Sequence, residues 1–240
     1  MAEIAISPGI LDERLVNVRR RIEIASRRCN RSPDEVSLIA IGKNHPAEVL
    51  RLALAAGLHD LGENRVQEAE AKINALGRHA ARWHLVGHLQ ANKARRAVKL
   101  FDLIHSLDSA ALALRLDRLC VEEGREQLPI LIQVDLGYEE TKSGVRENVL
   151  SEVVTALKDC PRLRLDGLMT LPPFYDNPER ARPFFRKLRE IRDRLEGEGH
   201  FAPNLGELSM GMTNDFEIAF EEGATMVRIG TAIFGEREAV

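Results

Sequence analysis

The segment Pro129-Ile-Leu-Ile-Gln-Val134 is the clearest β-strand in the sequence, because it is a short and mainly apolar run. A helical pattern at residues 109–123 precedes it and ends at Gly124, and another helical pattern follows at residues 147–158. A strand between two helices is the building unit of a parallel sheet, whose connections are right-handed. The segment therefore indicates an α/β fold.

The same alternation of strand and helix extends over most of the chain. Short apolar runs predict strands at residues 37–41, 60–62, 83–86, 103–107, 129–134, 163–169, 205–209 and 226–229. Amphipathic stretches predict a leading helix at residues 10–29, a helix through Lys99, and helices at 47–56, 66–76, 109–123, 147–158, 178–195 and 215–222. These strand–helix units fit a single closed (β/α)8 TIM barrel with an additional N-terminal helix. An open doubly wound sheet is less supported, because no G-x-G-x-x-G motif follows the first strand.

Length and composition set further limits. The chain has 240 residues, and an α/β barrel runs to about 250 residues as a single domain. We therefore predict one domain over residues 1–240, with the barrel at about 36–235 and no length for a second substantial domain. The net charge of −3 argues against nucleic-acid binding, and no apolar run is long enough for a membrane span. With 3 cysteines, no C-x-x-C motif and no visible signal sequence, we expect a cytoplasmic protein without a structural zinc site.

Lys43 is the first candidate for chemistry. Active sites of barrels lie at the C-terminal ends of the strands, and Lys43 follows the first strand. Strand alternation puts Ile39, Ile41 and Lys43 on one face, so Lys43 points into the barrel mouth if the isoleucines point into the barrel. A partly desolvated lysine is more readily neutral, and a neutral amine attacks a carbonyl carbon. The alternative is a surface lysine on a loop.

The ends of the seventh and eighth strands have the composition of an anion-binding site. The segments are Ser209-Met-Gly211-Met-Thr213 and Arg228-Ile-Gly230-Thr231. Glycines allow a ligand to approach the backbone, hydroxyls donate, and barrels frequently bind phosphate between these two loops. Arg228 shares a strand face with Met226 and Gly230, and it needs an acceptor such as a phosphate, a carboxylate or an aromatic ring nitrogen. Alternatively, the glycines are turn residues, the hydroxyls are helix caps and the arginine forms a structural salt bridge.

Other polar residues have simpler explanations. Asn64 begins a predicted helix, and Gln67 completes a capping-box pattern. Helix capping alone therefore explains an asparagine at this position, and no ligand contact is needed to explain it. His84 and His88 straddle a strand end and a turn without a carboxylate partner in place, which argues against a metal site.

The reactive lysine, the anion site and the arginine together suggest a ligand with an aldehyde and a phosphate. Pyridoxal 5′-phosphate (PLP) meets that description.

Six segments, in this order, resemble the family of pyridoxal phosphate homeostasis proteins over nearly the whole chain. They are residues 62–68 (GENRVQE), 83–93 (WHLVGHLQANK), 142–144 (KSG), 167–170 (GLMT), 209–217 (SMGMTNDFE) and 226–235 (MVRIGTAIFG). The lysine segment departs from the family pattern, which usually has Ser before the lysine and Thr after it, whereas Gly42 and Asn44 stand here. Pro46 is kept, and Lys43 remains the assigned lysine. In a second departure, Thr213-Asn214 replaces Ser-Asp.

The resemblance implies a PLP-binding barrel like that of alanine racemase, of PLP fold type III but without the second β domain. PLP would be bound covalently to Lys43 as an internal aldimine, which is a Schiff base. The implied cofactor-binding residues are Lys43 at the aldehyde, Asn64 and Met169 at the ring, Arg228 at the pyridine nitrogen, and Ser209, Gly230 and Thr231 at the phosphate, with Gly211 in the same loop.

We expect a PLP carrier that takes part in vitamin B6 homeostasis rather than an enzyme. An arginine at the pyridine nitrogen keeps that nitrogen unprotonated and weakens PLP as an electron sink. Racemization also needs a second acid/base, and neither Tyr138 nor Tyr175 matches that role by motif. The protein would hold PLP, pass it to apo forms of PLP-dependent enzymes, and be a monomer.

Three alternatives remain open at this point. The same pocket could serve an amino-acid racemase or a decarboxylase that depends on PLP. An aldolase could use Lys43 without any cofactor. In addition, Lys142 in the loop after the fifth strand is either a second, transient amine for PLP or a solvated loop lysine.

Overall fold

A closed barrel of parallel strands forms the centre of the molecule. The structure, a computed structural model, describes residues 6–137 and 143–235. The strands follow chain order around the barrel, and β1 pairs with β8 to close it. They are β1 Ser37–Ile41, β2 Asp60–Glu63, β3 Arg82–Leu85, β4 Leu103–Leu107, β5 Leu128–Gln133, β6 Leu163–Met169, β7 Glu207–Ser209 and β8 Met226–Ile229. The predicted (β/α)8 TIM barrel is confirmed.

A helix precedes the first strand, a helix lies between each pair of successive strands, and a short helix follows the last strand. They are α1 Pro8–Cys29, α2 Ala47–Ala55, α3 Val66–Leu76, α4 Ala94–Leu100, α5 Ala110–Glu122, α6 Leu150–Leu157, α7 Arg182–Gly197, α8 Phe216–Glu221 and α9 Thr231–Phe234. The helices predicted at 147–158 and 178–195 both begin with a 3-10 turn, at Glu147–Val149 and Pro178–Ala181, so their α-helical parts start later. Helix α9 was not predicted, because so short a helix shows no helical period in the sequence.

The leading helix α1 lies outside the strand–helix repeat and packs against α8 and α9. It begins slightly before the predicted start at Ile10, because Ser7 and Pro8 form a start signal. The Ser7 hydroxyl accepts a hydrogen bond from the Ile10 amide at 3.4 Å, and Pro8 occupies the first turn. The predicted additional N-terminal helix is therefore present.

Apolar side chains form two cores, one inside the barrel and one between the strands and the helices. The inner core consists of Ile39, Leu103, Leu131, Met169 and Met226. The outer core is larger, and its largest buried side chains include Trp83, Phe101, Phe185, Phe216 and Phe220. Trp83 is thus a packing residue. Among residues 6–137 and 143–235, no helix has both the length and the apolar character needed to cross a membrane.

Gly167 in β6 provides a test of how closely the strands pack. A Cβ atom at Gly167 would lie 2.0 Å from the backbone oxygen of Glu207, where β6 pairs with β7. Gly167→Ala should therefore lower the free energy of unfolding by about 1–3 kcal/mol, the usual cost of overpacking. Gly197→Ala, at the end of α7, meets nothing within 4 Å and should be neutral or stabilising. Urea unfolding measures both variants, and equal stabilities would contradict the packing of this strand pair.

Candidate functional site

A cavity of about 540 Å³ opens at the C-terminal ends of the strands. Its walls come from the loops after β1, β2, β3, β5, β6, β7 and β8. The predicted site residues that line it are Lys43, Asn64, Arg228, Gly230 and Thr231. The pairing of β1 with β8 brings the first and the last of these residues to one wall, although they are far apart in the chain.

Lys43 lies in the turn that follows β1, and its half-buried side chain is on the cavity wall. Ile39 lies in the inner core and Ile41 packs against that core, so the alternation along β1 directs Lys43 into the barrel mouth. Within the described part of the chain, no hydrogen bond or ion pair engages the Lys43 ammonium. Its amine is therefore available to a ligand in the cavity.

A buried ionic network holds the backbone on both sides of this lysine. The Lys72 ammonium donates to the Gly42 carbonyl oxygen, to Glu63 Oε1 and to Glu68 Oε1, each at 2.7 Å. Glu68 Oε1 also accepts a hydrogen bond from the Asn44 amide at 2.5 Å. The network therefore fixes the turn that carries the candidate lysine.

Glu63 is the most strongly perturbed acid of this network. It ends β2, and its side chain is fully buried. Burial raises the pKa of its carboxyl to about 7, although the neighbouring Lys72 ammonium acts in the opposite direction. Its Oε2 has no hydrogen-bond partner among the described residues. The Glu63 carboxyl therefore changes its charge near neutral pH.

Arg228 points from β8 into the cavity and is only 3% exposed. Its Nη1 donates to Ser209 Oγ at 2.6 Å, and its Nη2 donates to the Thr170 carbonyl oxygen at 2.8 Å. Burial lowers the pKa of the guanidinium to about 10, so the group is still charged at neutral pH. A charged donor whose orientation is fixed by hydrogen bonds to the protein is suited to donate to an acceptor atom of a ligand.

The loops after β7 and β8 meet at the cavity and leave backbone donors free. The Thr213 hydroxyl accepts a hydrogen bond from the Ala232 amide at 3.3 Å and so joins the two loops. Within the residues that the structure describes, the amides of Thr213, Asn214 and Thr231 donate to no other group. Gly230 lies beside them without a side chain. Free amides around such a loop are the usual means of binding an anion.

Three predicted site residues lie behind the cavity wall. Met169 belongs to the inner core. Ser209 is fully buried, and its hydroxyl contacts Arg228 and His105, so it reaches the cavity only through Arg228. Gly211 has a φ of +90° and faces α8, where a Cβ atom would lie 2.5 Å from a helix side chain. The side chains of Met169 and Ser209 therefore do not line the mouth of the barrel, and Gly211 has no side chain.

The capping interpretation of Asn64 is wrong. The residue that precedes α3 is Arg65, and no side chain caps this helix. Asn64 lies on the cavity wall instead. Gly87 packs closely against it, since a Cβ atom at Gly87 would lie 2.3 Å from the Asn64 carbonyl oxygen. Helix capping therefore does not account for Asn64. Its position on the cavity wall allows it to contact a ligand in the cavity.

The predicted set of cofactor-binding residues omits several other residues of the cavity. They include His88, Gln133, Ser143, Phe174 and Met212. Most of them follow the C-terminal end of a strand, which is where functional residues of barrels are expected. The His88 ring lies 3.0 Å from the Asp108 carboxylate. The network of Lys72 was also missed, although the spacing of Glu68 and Lys72 on α3 is the spacing of helical ion pairs.

The remaining candidates lie elsewhere. His84 is buried in the barrel interior against His105 and is separated from the cavity residue His88. Tyr175 stacks on Phe184, with ring centroids 6.2 Å apart, and does not line the cavity. Tyr138 and Lys142 lie outside the described residues.

The fold is that of the barrel found in alanine racemase, and a family model described as the N-terminal domain of alanine racemase matches residues 14–238. A pyridoxal phosphate homeostasis protein from Aquifex aeolicus is 45% identical and covers 94% of this chain and 98% of its own length. A protein of the same name from Escherichia coli K12 is 40% identical, with 93% and 95% covered. The chain belongs to the family of pyridoxal phosphate homeostasis proteins.

Solved structures show the same relation. PipY from Synechococcus elongatus PCC7942 is 40% identical and covers 94% of this chain and 100% of its own. Its structures without and with PLP bound give TM-scores of 0.83 and 0.81. Alanine racemase from Corynebacterium glutamicum shares the fold at 19% identity and a TM-score of 0.67, over 96% of this chain and 62% of that chain.

The raised pKa of Glu63 predicts a specific pH dependence of stability. The folded protein binds this proton more tightly than the unfolded chain, whose carboxyl titrates at about 4.3. The contribution of Glu63 to the free energy of unfolding is therefore largest below that pH and is lost as the pH rises through about 7. Glu63→Gln removes this titration, so the variant should gain stability relative to the wild type between about pH 5 and about pH 8.

Urea unfolding at both pH values measures this difference. The control is Glu70→Gln, which alters a carboxylate of α3 outside the network, since Glu70 pairs with Arg96 on the surface. A difference between Glu63→Gln and the wild type that stays constant with pH would contradict the assignment.

Proposed function

We propose that this protein binds PLP in the cavity, holds it on Lys43 as a Schiff base, and takes part in intracellular PLP homeostasis. The observation that carries the proposal is that one cavity holds a charged arginine, the Lys43 amine and a loop of amides, and that the amine and these amides have no partner among the described residues. The names of its relatives and the PLP-bound structure of PipY support this choice of ligand.

The donor set of the cavity fits the three polar parts of PLP. The Lys43 amine would attack the aldehyde carbon, and loss of one water would leave a carbon–nitrogen double bond. The Arg228 guanidinium would donate towards the pyridine nitrogen. The amides of Thr213, Asn214 and Thr231 would receive the phosphate. The cavity volume of about 540 Å³ is in the usual range for small-molecule sites.

The predicted residues behind the wall would support the cofactor indirectly. Ser209 would help to orient Arg228 at the pyridine ring, because its hydroxyl accepts a hydrogen bond from the guanidinium. Gly211 would allow the loop of free amides to pack tightly on α8. Met169 would form the apolar floor below the ring, and Asn64 would contact the ring from the side. These roles place the phosphate on backbone amides rather than on the Ser209 hydroxyl.

We infer that the protein carries PLP rather than using it for turnover. Arg228 is a charged donor and leaves the pyridine nitrogen unprotonated, which weakens the electron sink on which racemization and decarboxylation rely. In the described part of the chain, no tyrosine lines the cavity to act as a second acid/base. A free aldehyde reacts with cellular amines, so a protein that sequesters PLP and passes it to apo-enzymes has a chemical purpose. We further expect it to be cytoplasmic and monomeric.

The Schiff base can be tested directly. PLP added to the purified protein should give the absorbance of an imine, and borohydride should fix the cofactor to the peptide that contains Lys43. Lys43→Ala should lose both the absorbance and the fixation. The control is Lys99→Ala, which removes an exposed lysine of α4 that pairs with Glu123. Full covalent labelling of Lys43→Ala would reject Lys43 as the attachment site.

The carrier role predicts no catalysis of exchange at the α-carbon of amino acids. The PLP-bound protein is incubated with a panel of amino acids in deuterated water, and deuterium incorporation and carbon dioxide release are measured. We expect rates no higher than that of free PLP. Faster exchange would favour the racemase, and faster carbon dioxide release the decarboxylase. A protein that retains no PLP after reconstitution would instead point to the aldolase.

A further inference from the structure

A chain of hydrogen bonds crosses the interior of the barrel from its base to Arg228. Asp60 Oδ1 lies 2.9 Å from His84 Nε2, and His84 Nδ1 lies 2.9 Å from His105 Nε2. His105 Nδ1 lies 2.9 Å from Ser209 Oγ, which accepts a hydrogen bond from Arg228 Nη1 at 2.6 Å. The residues come from β2, β3, β4, β7 and β8, so the chain joins opposite sides of the barrel.

The chain is unusual because it places polar groups where the barrel is otherwise filled by apolar side chains. His84, His105 and Ser209 are all buried. Burial lowers the pKa of His84 and lowers the pKa of His105 well below its usual range, so both rings are neutral at neutral pH. Buried polar groups without partners would destabilise the folded state. The bonds along the chain remove that cost and give each ring a defined orientation.

The two ends of the chain set the direction of every bond in it. Arg228 can only donate. Burial acts to raise the pKa of the Asp60 carboxyl, but the hydrogen bond from His84 and the nearby Arg82 charge outweigh it and hold the pKa below its usual value. The Asp60 carboxylate can therefore only accept. Ser209 therefore accepts from Arg228 and donates to His105 Nδ1. His105 Nε2–H then donates to His84 Nδ1, and His84 Nε2–H donates to Asp60. This is the one pattern in which each bond has a donor and both rings are neutral.

We propose that Asp60, His84, His105 and Ser209 are positioning residues that hold the Arg228 guanidinium in its orientation at the cavity. The inference rests on the proposed function, in which Arg228 meets the pyridine nitrogen. Thr170 fixes Nη2 from a second side, so the guanidinium has no freedom to turn away from the cavity. A hydrogen-bonded chain to a distant carboxylate also stabilises the positive charge of a fully buried arginine.

The chain ends in a second cavity, of about 450 Å³, at the base of the barrel. Asp60 lines this cavity, and its side chain is 28% exposed. Arg82 Nη1 lies 3.8 Å from Asp60 Oδ1 there, and the neutral His84 ring donates to the same oxygen. Asp34 lines the same cavity without taking part in the hydrogen-bond chain.

The first test needs no cofactor. Nitrogen-15 NMR of the histidine rings in the protein without PLP should show both His84 and His105 neutral and protonated at Nε2. Asp60→Ala removes the final acceptor and should change the ring signals of His84, and in turn those of His105. Asp34→Ala, the matched control in the same cavity, should leave them unchanged. Protonation at Nδ1 or a positively charged ring in the wild type would overturn the proposal.

The second test uses the bound cofactor. Asp60→Ala and Ser209→Ala should both still be fixed to PLP at Lys43, but with a shifted absorbance maximum and a dissociation constant about tenfold higher, equivalent to about 1.4 kcal/mol. Asp34→Ala should match the wild type.

If Asp60→Ala and Ser209→Ala are identical to the wild type in spectrum and affinity, the positioning role of the hydrogen-bond chain is wrong, but the proposed function is unaffected. Failure of the wild type to bind PLP would overturn the proposed function, while the NMR result would still decide the chain. If Asp60→Ala does not fold, the ring protonation of the wild type and the Ser209→Ala spectrum decide it.

Discussion

The pairing of β1 with β8 is the constraint on which the rest of the structure depends. It sets Ile39 opposite Arg228 and Ala40 opposite Ile229, and it closes the sheet into a barrel. Because of it, the turn after β1 and the loop after β8 share one wall, where Gly230 lies close to Ile41. In an open sheet of the same strand order these two segments would lie at opposite edges. The candidate site thus exists only in the closed barrel.

Two polar networks then hold the site on opposite sides. One is centred on Lys72 and fixes the backbone around the candidate lysine. The other runs through the barrel interior and holds Arg228. Buried charges of this kind are costly unless they are paired, so their presence next to a cavity indicates preorganisation of the site rather than added stability. Both networks keep reactive or charged groups in place before any ligand arrives.

The sequence predicted the fold well and the site only in part. Strands such as β1, β4, β6 and β8 have the predicted bounds, because apolar runs and strand alternation are local signals. The same alternation directed Lys43 towards the mouth. Ser209 shows the limit, since its partners Arg228 and His105 come from distant strands and no local pattern reveals them. Asn64 likewise had the pattern of a helix cap, but Arg65 occupies the cap position of α3.

We propose that Lys43, Arg228 and the loop of free amides together bind one PLP molecule. A crystal structure of the protein grown with PLP tests this proposal most directly. We expect continuous density from Lys43 Nζ to the cofactor, with the ring nitrogen at Arg228 and the phosphate at the amides of Thr213 and Thr231. PLP attached to another lysine, or its phosphate bound outside the loops after β7 and β8, would contradict it.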